Sequence, residues 1–292
     1  MSTPSDPEGP RPERPSTYVV QDRSSQDELE RLKIQDQMLT TSMGGPLPEQ
    51  PDPTIFKRVL DVGCGTGSWL IETAVTYPDM SVLIGIDISG KMIEYARSQA
   101  DEQQVSDRVE FQVMDVLRLL EFPDRYFDLV NLRLGISSLR TWDWPNILQE
   151  LQRVTKAGGV IRLTECDITS KSNSLAQQRL YQLLTQTFYQ SGHLFNENGD
   201  SVIQELAPLL NRYGLRNVQT RTYTLSYQAG TIESQRALED IRLLFKTLIP
   251  FFRKWTHLPD DYDALYQQML NDTQQPGYTA TGTLLTAWGN TR

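Results

Sequence analysis

The sequence predicts an α/β fold, a doubly wound, mostly parallel sheet of seven strands with helices on both faces. Between residues 53 and 167, apolar strand-like runs alternate with helix-like runs, a rhythm typical of a parallel sheet covered by helices. Three glycines stand at alternate positions in the turn after the first strand. The chain has 292 residues, 38% of them hydrophobic, which is enough for one large domain.

The first predicted elements precede the sheet. Residues 1–16 carry five prolines among polar residues, a composition that predicts a disordered tail, so the folded domain would span 17–292. Ser25 is a candidate N-cap for a helix from Asp27 to about Met43, which the glycines of MGGP would end. Leu29, Leu32, Met38 and Leu39 would lie near one face of that helix.

The central strands and helices alternate, except that two strands follow each other between residues 108 and 134. The predicted order is strand 59–63, helix 68–78, strand 81–89, helix 90–103, strand 108–116, strand 126–134, helix 141–159 and strand 160–167. Gly158 and Gly159 would stop the last of these helices. Phe127 to Val130 would be buried, and Asn131 to Leu134 would follow at the carboxyl edge of the sheet, where ligands bind in such folds.

The C-terminal third departs from simple alternation. Residues 174–190 and 202–213 have helical patterns, 216–227 alternates like a strand, and 282–290 is the last predicted strand. Roughly fifty residues separate these two strands, far more than a hairpin loop needs. We therefore expect a helical cap at about 229–280. The alternative is that this segment enlarges the core, with Phe251, Phe252 and Trp255 packed inward.

The glycine turn, VLDVGCGTG, indicates a ligand site. Gly63, Gly65 and Gly67 suit a tight turn with positive φ and bare backbone, and the helix beginning at Ser68 would offer its N-terminus to an anionic group. A dinucleotide-binding fingerprint would require its third glycine at position 68, which is Ser68. A purely structural strand-to-helix turn is the alternative.

The pattern that begins at Asp61 resembles motif I of the class I, Rossmann-like S-adenosylmethionine-dependent methyltransferases. The resemblance covers about Tyr18 to Gly289 and includes Asp87, Asp115 and the glycine pair 158–159, where Ala157 replaces the proline usual in that family. It implies S-adenosyl-L-methionine as the cofactor. An arginine followed by a tryptophan-rich stretch resembles the branch that methylates small molecules and secondary metabolites.

The spacing and the resemblance together nominate cofactor-binding residues. Asp87 follows the glycines by about twenty residues, where a carboxylate accepts ribose hydroxyls; its alternative role is a helix cap. The resemblance implies that Asp115 binds the adenine amino group, that Met92 packs on adenine or in the core, and that residues 17–45 form a lid. The full set is Tyr18, Asp61, Gly63, Gly65, Gly67, Asp87, Ile88, Met92, Met114, Asp115, Val116, Asn131 and Arg133.

The implied reaction is methyl transfer by in-line displacement to oxygen, nitrogen or carbon of a small molecule. His193 and Glu165 are the candidate catalytic bases, although His193 equally suits a loop residue beside Gly192. Arg133 would orient a polar group or form a surface ion pair. Two other functions stay open: a cyclase or isomerase that binds the cofactor without methylating, and a non-catalytic methyltransferase-like partner protein.

Composition argues against several kinds of partner and cofactor. A net charge of −9 argues against nucleic acid as a partner, and no apolar run approaches the roughly 20 residues of a membrane span. The proline-rich N-terminus differs from a signal peptide, so we expect a cytoplasmic enzyme with a small-molecule substrate and no membrane partner, either a monomer or a homodimer. Two cysteines and two histidines show no metal-ligand spacing, so no metal is expected; a site made of carboxylates alone stays open as the alternative.

Overall fold

The computed structural model describes residues 18–20, 25–169 and 171–292. The predicted tail and part of the predicted lid lie outside these residues. The strands are β1 Arg58–Val62, β2 Val82–Asp87, β3 Val109–Val113, β4 Phe127–Arg133, β5 Thr155–Cys166, β6 Lys171–Ser172, β7 Arg216–Gln228 and β8 Thr279–Asn290. The helices are α1 Gln26–Met43, α2 Ser68–Thr76, α3 Gly90–Glu102, α4 Trp144–Val154, α5 Leu175–Gln190, α6 Ser201–Arg212, α7 Ile232–Thr247, α8 Ile249–Trp255 and α9 Tyr262–Thr273.

The strands form one mixed sheet that confirms the predicted fold class. Its order is β3, β2, β1, β4, β5 and then β8, and the first five of these pair in parallel. β8 runs antiparallel to β5 and also pairs with β6 and β7. The described residues contain eight strands because the two-residue strand β6 joins the seven expected. The order of strands reverses between β1 and β4, because β2 and β3 lie on one side of β1 whereas β4 and β5 lie on the other. Such folds bind ligands at this point of the sheet.

Alternate residues of the central strands supply the two core layers. In β1, Val59 packs into the layer containing α2 and α3, whereas Leu60 faces the opposite layer, which contains α4 and α6. Both residues have no exposed surface. This two-residue period leaves both faces of the sheet apolar, as expected for a sheet covered by helices on both sides.

The glycine pair 158–159 does not end a helix, so that prediction is wrong. α4 ends at Val154, and the two glycines lie within β5. The register between β4 and β5 shifts between Phe127 and Leu129, and Gly158 has a φ of +77°. An irregular strand with a positive φ favours glycine, which explains why glycines stand here without a helix to cap.

β4 ends at Arg133, one residue before the predicted end of the strand, and Asn131 lies inside it. One further boundary differs from expectation. β3 ends at Val113, two residues before Asp115. The buried face of α1 also differs, because Glu28 and Arg31 are buried while Leu29 and Leu32 are only half-buried.

Three helices lie between β7 and β8. α7 packs against α1, while α8 and α9 pack against α5. Phe251 and Phe252 are buried in the main core cluster together with residues of α7 and α9, as the core alternative expects. That the segment caps a site stays a prediction. Among the helices of the described residues, none combines the length and apolar character needed to cross a membrane.

Candidate functional site

The glycine turn leaves bare backbone facing open space. Gly63, Gly65 and Gly67 have φ values of +67°, +52° and +75°. Within the described chain, a Cβ at Gly63 or Gly65 would meet no atom within 4 Å, whereas a Cβ at Gly67 would lie 2.5 Å from the Phe111 ring. Gly67 is thus required by the packing of α2 against β3, and the other two glycines leave room for a ligand.

Asp87 closes β2 beside this turn. One of its carboxylate oxygens accepts the Gly65 N–H at 3.1 Å, and the other accepts the Ser89 N–H at 2.8 Å. The carboxylate therefore joins the glycine turn to the start of α3, and the residue stays half-buried. The N-cap of α3 is Ser89, whose side chain accepts the Met92 N–H, so Asp87 is not the helix cap of the alternative reading. The ribose contact stays a prediction.

The end of β3 adds a partly apolar wall near Asp87. The Met114 N–H donates to the Asp87 backbone carbonyl at 2.9 Å, and Asp115 accepts the Leu117 N–H at 2.9 Å. Ile88, Met114, Asp115 and Val116 are half-buried. Met92 is only 3% exposed, so its contacts in this structure are those of a core residue.

A row of polar side chains crosses three neighbouring strands below the glycine turn. Asp61, Asn131 and Arg162 are register partners on β1, β4 and β5. The Asn131 amide donates to Asp61 at 2.8 Å, Arg162 donates to the Asn131 amide oxygen at 2.7 Å, and Arg162 also pairs with Glu49 at 2.7 Å. Burial raises the pKa of Asp61 to about 7, although Arg133 and the Asn131 hydrogen bond act in the opposite direction.

Asp61 and Asn131, two of the nominated cofactor-binding residues, are hydrogen-bonded within this polar row. The Asn131 amide is committed to Asp61 and Arg162, so its side chain binds within the sheet. Arg162 and Glu49 were missed from the sequence, although a charged residue within the apolar run of β5 was a usable signal. Their side chains have no exposed surface.

Arg133 joins the end of β4 to α1. Its guanidinium forms an ion pair with Asp36 and lies 3.4 Å from the Thr40 hydroxyl. It also stands 5.6 Å from the centre of the Trp69 ring, a favourable cation–π distance. Arg133 therefore forms an ion pair, but the pair lies between α1 and the sheet with both side chains 13% exposed, so it is not the surface pair of the alternative. A cofactor contact stays a prediction.

Tyr18 belongs to a second buried polar cluster. Its hydroxyl donates to Glu28 at 2.6 Å, and Arg31 binds both oxygens of Glu28 at 2.7 and 2.8 Å. Arg31 also pairs with Asp240 of α7 at 3.2 Å. Burial raises the pKa of Tyr18, so its phenol stays protonated. This cluster fastens α1 to α7, and a lid role for Tyr18 stays a prediction.

Both candidate bases lie in buried positions. His193 is 1% exposed, its Nδ1 lies 2.8 Å from the Ser191 hydroxyl, and its ring packs on Phe188 and Phe251. Glu165 has no exposed surface and accepts the Ile136 N–H at 3.2 Å. Burial raises the pKa of Glu165 to about 8. Neither side chain presents surface that an acceptor would touch in this structure.

The end of β4 carries a strained residue beside an apolar surface. Leu134 has a φ of +54°, which is unusual for a residue with a branched side chain. Leu134, Cys166 and Tyr227 are partly buried against the cluster that contains Met38.

The two cysteines, both within the described residues, are free thiols. Among those residues no group of histidine, cysteine and acidic side chains is placed to hold a metal ion.

The fold and this site define the class of the protein. A parallel sheet with a reversed last strand, a glycine turn after β1 and a carboxylate at the end of β2 are the features of a class I S-adenosylmethionine-dependent methyltransferase. The family described as "Methyltransferase domain" matches residues 56–211, more than half of the chain. The chain belongs to this family. The predictions of enzyme class and cofactor are confirmed at this level.

Relatives and solved structures agree with this assignment. The demethylmenaquinone methyltransferase of Lactiplantibacillus plantarum is 28% identical over 192 residues, which are 62% of this chain and 79% of the relative. The enzyme of the same name from Geobacillus kaustophilus is 29% identical over 189 residues, or 59% of this chain and 76% of the relative.

Two solved structures share the fold. The YcgJ protein of Bacillus subtilis aligns with a TM-score of 0.53 and 20% identity, covering 86% of this chain and 99% of that one. Phosphoethanolamine N-methyltransferase 2 of Haemonchus contortus, in complex with phosphomonomethylethanolamine and S-adenosylhomocysteine, aligns with a TM-score of 0.56 and 16% identity, covering 95% and 61%.

The residues of this chain fit S-adenosylmethionine. Gly63 and Gly65 leave open space over bare backbone, where the methionine part of the cofactor would lie. Asp87 stands at the strand end where a ribose would be held, and the half-buried side chains after β3 would form the adenine wall. The contacts of individual residues with the cofactor stay predictions.

Proposed function

We propose that this enzyme transfers the methyl group of S-adenosylmethionine to a small molecule held between the carboxyl ends of β4 and β5 and the helices α1, α5 and α7. The observations that carry the proposal are two ion pairs that hold α1 in place beside this edge of the sheet. Arg133 and Asp36 fasten α1 to β4, and Arg31 and Asp240 fasten α1 to α7. A layer fastened on both sides suits a compact acceptor better than a broad macromolecular surface.

The side chains at the end of β4 support an acceptor that is largely apolar. Leu134, Met38, Cys166 and Tyr227 belong to one cluster, and the Tyr227 hydroxyl lies 3.6 Å from the Met38 sulfur. Strained residues such as Leu134 cost about 1–3 kcal/mol and persist mainly where the site requires them. Apolar walls with a few polar tips are typical of pockets for small molecules.

The net charge and the named relatives also support a small-molecule acceptor. A net charge of −9 would repel a phosphate backbone. The curated relatives are named for methylation of demethylmenaquinone, itself a small molecule. We also propose a cytoplasmic location, because the free thiols Cys64 and Cys166 are typical of a reducing compartment.

The cofactor supplies a methyl group that its sulfonium already makes electrophilic, so the protein needs chiefly to position the acceptor and exclude water. In our proposal α1 and α7 exclude water, and the surface around Leu134 orients the acceptor. A hydroxyl or carbon acceptor requires a base, whereas an amine needs only to arrive unprotonated. His193 and Glu165 would need to become accessible before either could serve as that base.

The proposal is tested by incubating the enzyme with S-adenosylmethionine and fractionated small-molecule extracts. We expect S-adenosylhomocysteine to form together with a product heavier by one methylene group. The Gly65→Val variant, with its glycine turn blocked, is the negative control. A product rearranged without formation of S-adenosylhomocysteine would indicate a cyclase or isomerase, and cofactor binding without any product would indicate a partner protein.

A further inference from the structure

We propose that Asp240 receives a hydrogen-bond donor of the methyl acceptor, either a hydroxyl or an amine. This inference rests on the proposed function and names the polar end of the same site. Asp240 lies on α7, within the layer that covers the carboxyl edge of the sheet, and 10% of its side chain is exposed. It therefore retains an edge that a bound molecule would touch.

Among the residues that the structure describes, the charges around Asp240 do not balance. Within that part of the chain the cluster contains one guanidinium, that of Arg31, and two carboxylates, those of Glu28 and Asp240. The side chains of Arg31 and Glu28 are 4% and 0% exposed. Buried charges are costly unless they are paired and hydrogen-bonded, so an excess carboxylate here favours a ligand that donates to it.

Glu28 has the stronger share of the guanidinium. It accepts two Arg31 contacts at 2.7 and 2.8 Å and the Tyr18 hydroxyl at 2.6 Å. Asp240 has a single Arg31 contact at 3.2 Å and a hydrogen bond from the Gln35 side chain. A carboxylate accepts about four hydrogen bonds, so Asp240 has capacity for a further donor. Consistent with incomplete compensation, burial raises its pKa to about 6.

The helix that carries Asp240 also contacts the end of β4. Ala237, one turn before Asp240 on α7, belongs to the cluster against which Leu134 packs. The charge of Asp240 helps to raise the pKa of Cys166, Tyr181 and Tyr227. Cys166 and Tyr227 also border the cluster that contains Leu134. An acceptor lying along these half-buried side chains would have its donor group on Asp240 and its reacting atom toward β4.

The test measures binding of three probes that share one ring system: 1-naphthol, 1-naphthylamine and 1-methylnaphthalene. Titration calorimetry is performed on the full chain saturated with S-adenosylhomocysteine. We expect wild type to bind one or both donor-bearing probes more tightly than 1-methylnaphthalene, and Asp240→Asn to lose about tenfold of that preference, because a charge-assisted hydrogen bond becomes a neutral one. The naphthol and naphthylamine arms distinguish a hydroxyl from an amine.

Glu239→Gln is the matched control. Glu239 precedes Asp240 on α7, has 36% of its side chain exposed and pairs with Arg242. The substitution removes the same charge from the same helix without touching the buried cluster, so probe preference should equal that of wild type. Equal preference in Asp240→Asn and wild type, or no preference in wild type, would overturn the proposal.

A pH series on wild type gives a second readout that needs no variant. Among the described residues, the titratable and charged groups facing Asp240 are Glu28, Arg31, Cys166, Tyr181 and Tyr227. Burial raises the pKa of the tyrosines and of Cys166, so they stay neutral between pH 5 and 8. Affinity for the preferred probe should fall as pH drops through about 6, where Asp240 becomes protonated; a flat profile would overturn the proposal.

Failure of this inference and failure of the proposed function give different results. If methyl transfer occurs but probe binding ignores Asp240, the donor site is wrong and the enzyme assignment stands. If the probes depend on Asp240 but no small molecule is ever methylated, the donor site stands and the proposed function is wrong.

Discussion

Replacing Asp87 with alanine tests the ribose assignment most directly. We expect the variant to bind S-adenosylhomocysteine more weakly by about 1.5–3 kcal/mol, the range for hydrogen bonds to a charged group, which corresponds to about 10- to 150-fold in Kd. The measurement is titration calorimetry, with circular dichroism to confirm folding. Glu94→Ala, which removes an exposed carboxylate from the neighbouring helix α3, should bind as wild type does.

Asp87 also holds the glycine turn, so weaker binding alone would not prove a ribose contact. The carboxylate accepts the N–H groups of Gly65 and Ser89, and its loss would loosen both. A comparison of S-adenosylhomocysteine with its 2′-deoxy analogue separates the two effects. Wild type should discriminate strongly between them and Asp87→Ala should not; equal discrimination by both proteins would refute the ribose assignment.

Three other changes have expected outcomes. Gly65→Val, at a φ of +52°, should abolish S-adenosylhomocysteine binding in calorimetry, because a β-branched residue is strained there, whereas Gly277→Ala, open on the Cβ side, should not; retained binding would contradict the assignment of the turn. Burial raises the pKa of Glu165 to about 8 in the folded state, against about 4.3 in the unfolded chain, so the free energy of unfolding should fall as pH rises between these values. In urea unfolding, Glu165→Gln should remove this part of the pH dependence. An unchanged pH dependence in the variant would contradict the raised pKa of Glu165. Arg162→Met should lower the free energy of unfolding by about 3–5 kcal/mol, because the buried Glu49 carboxylate loses its ion-pair partner. Adding Glu49→Gln should recover part of this loss. Strictly additive effects of the two substitutions would contradict the coupling of Arg162 and Glu49.

Much of the central sheet was predictable because it depends on local pattern. The β1 strand is a short apolar run, and the glycine turn after it requires positive φ at three positions, a demand that the residue type itself signals. Asp87 was found in the same way, from its spacing after the turn. These features are written in contiguous residues, so reading them needs no knowledge of distant contacts.

The end of α4 was not predictable by the same rules. Gly158 and Gly159 follow a helical pattern and so suggest a cap, yet they lie in β5. Pairing with β4 begins at Thr155, opposite Phe127. Residues from Thr155 onward therefore belong to β5, and α4 ends before the two glycines. Tertiary pairing overrides local propensity here.

The sequence by itself determined the fold class, the glycine turn, the acid at the end of β2 and the family, because each depends on residue types at short, regular spacing. Only the tertiary structure decided that Glu28 and Arg31 are buried and that Arg31 also pairs with Asp240, which lies 209 positions beyond it in the chain. The tertiary structure likewise joined Glu49 to Arg162. Charged residues look alike in a sequence whether solvent or a distant partner compensates them, and only the folded chain supplies the partner.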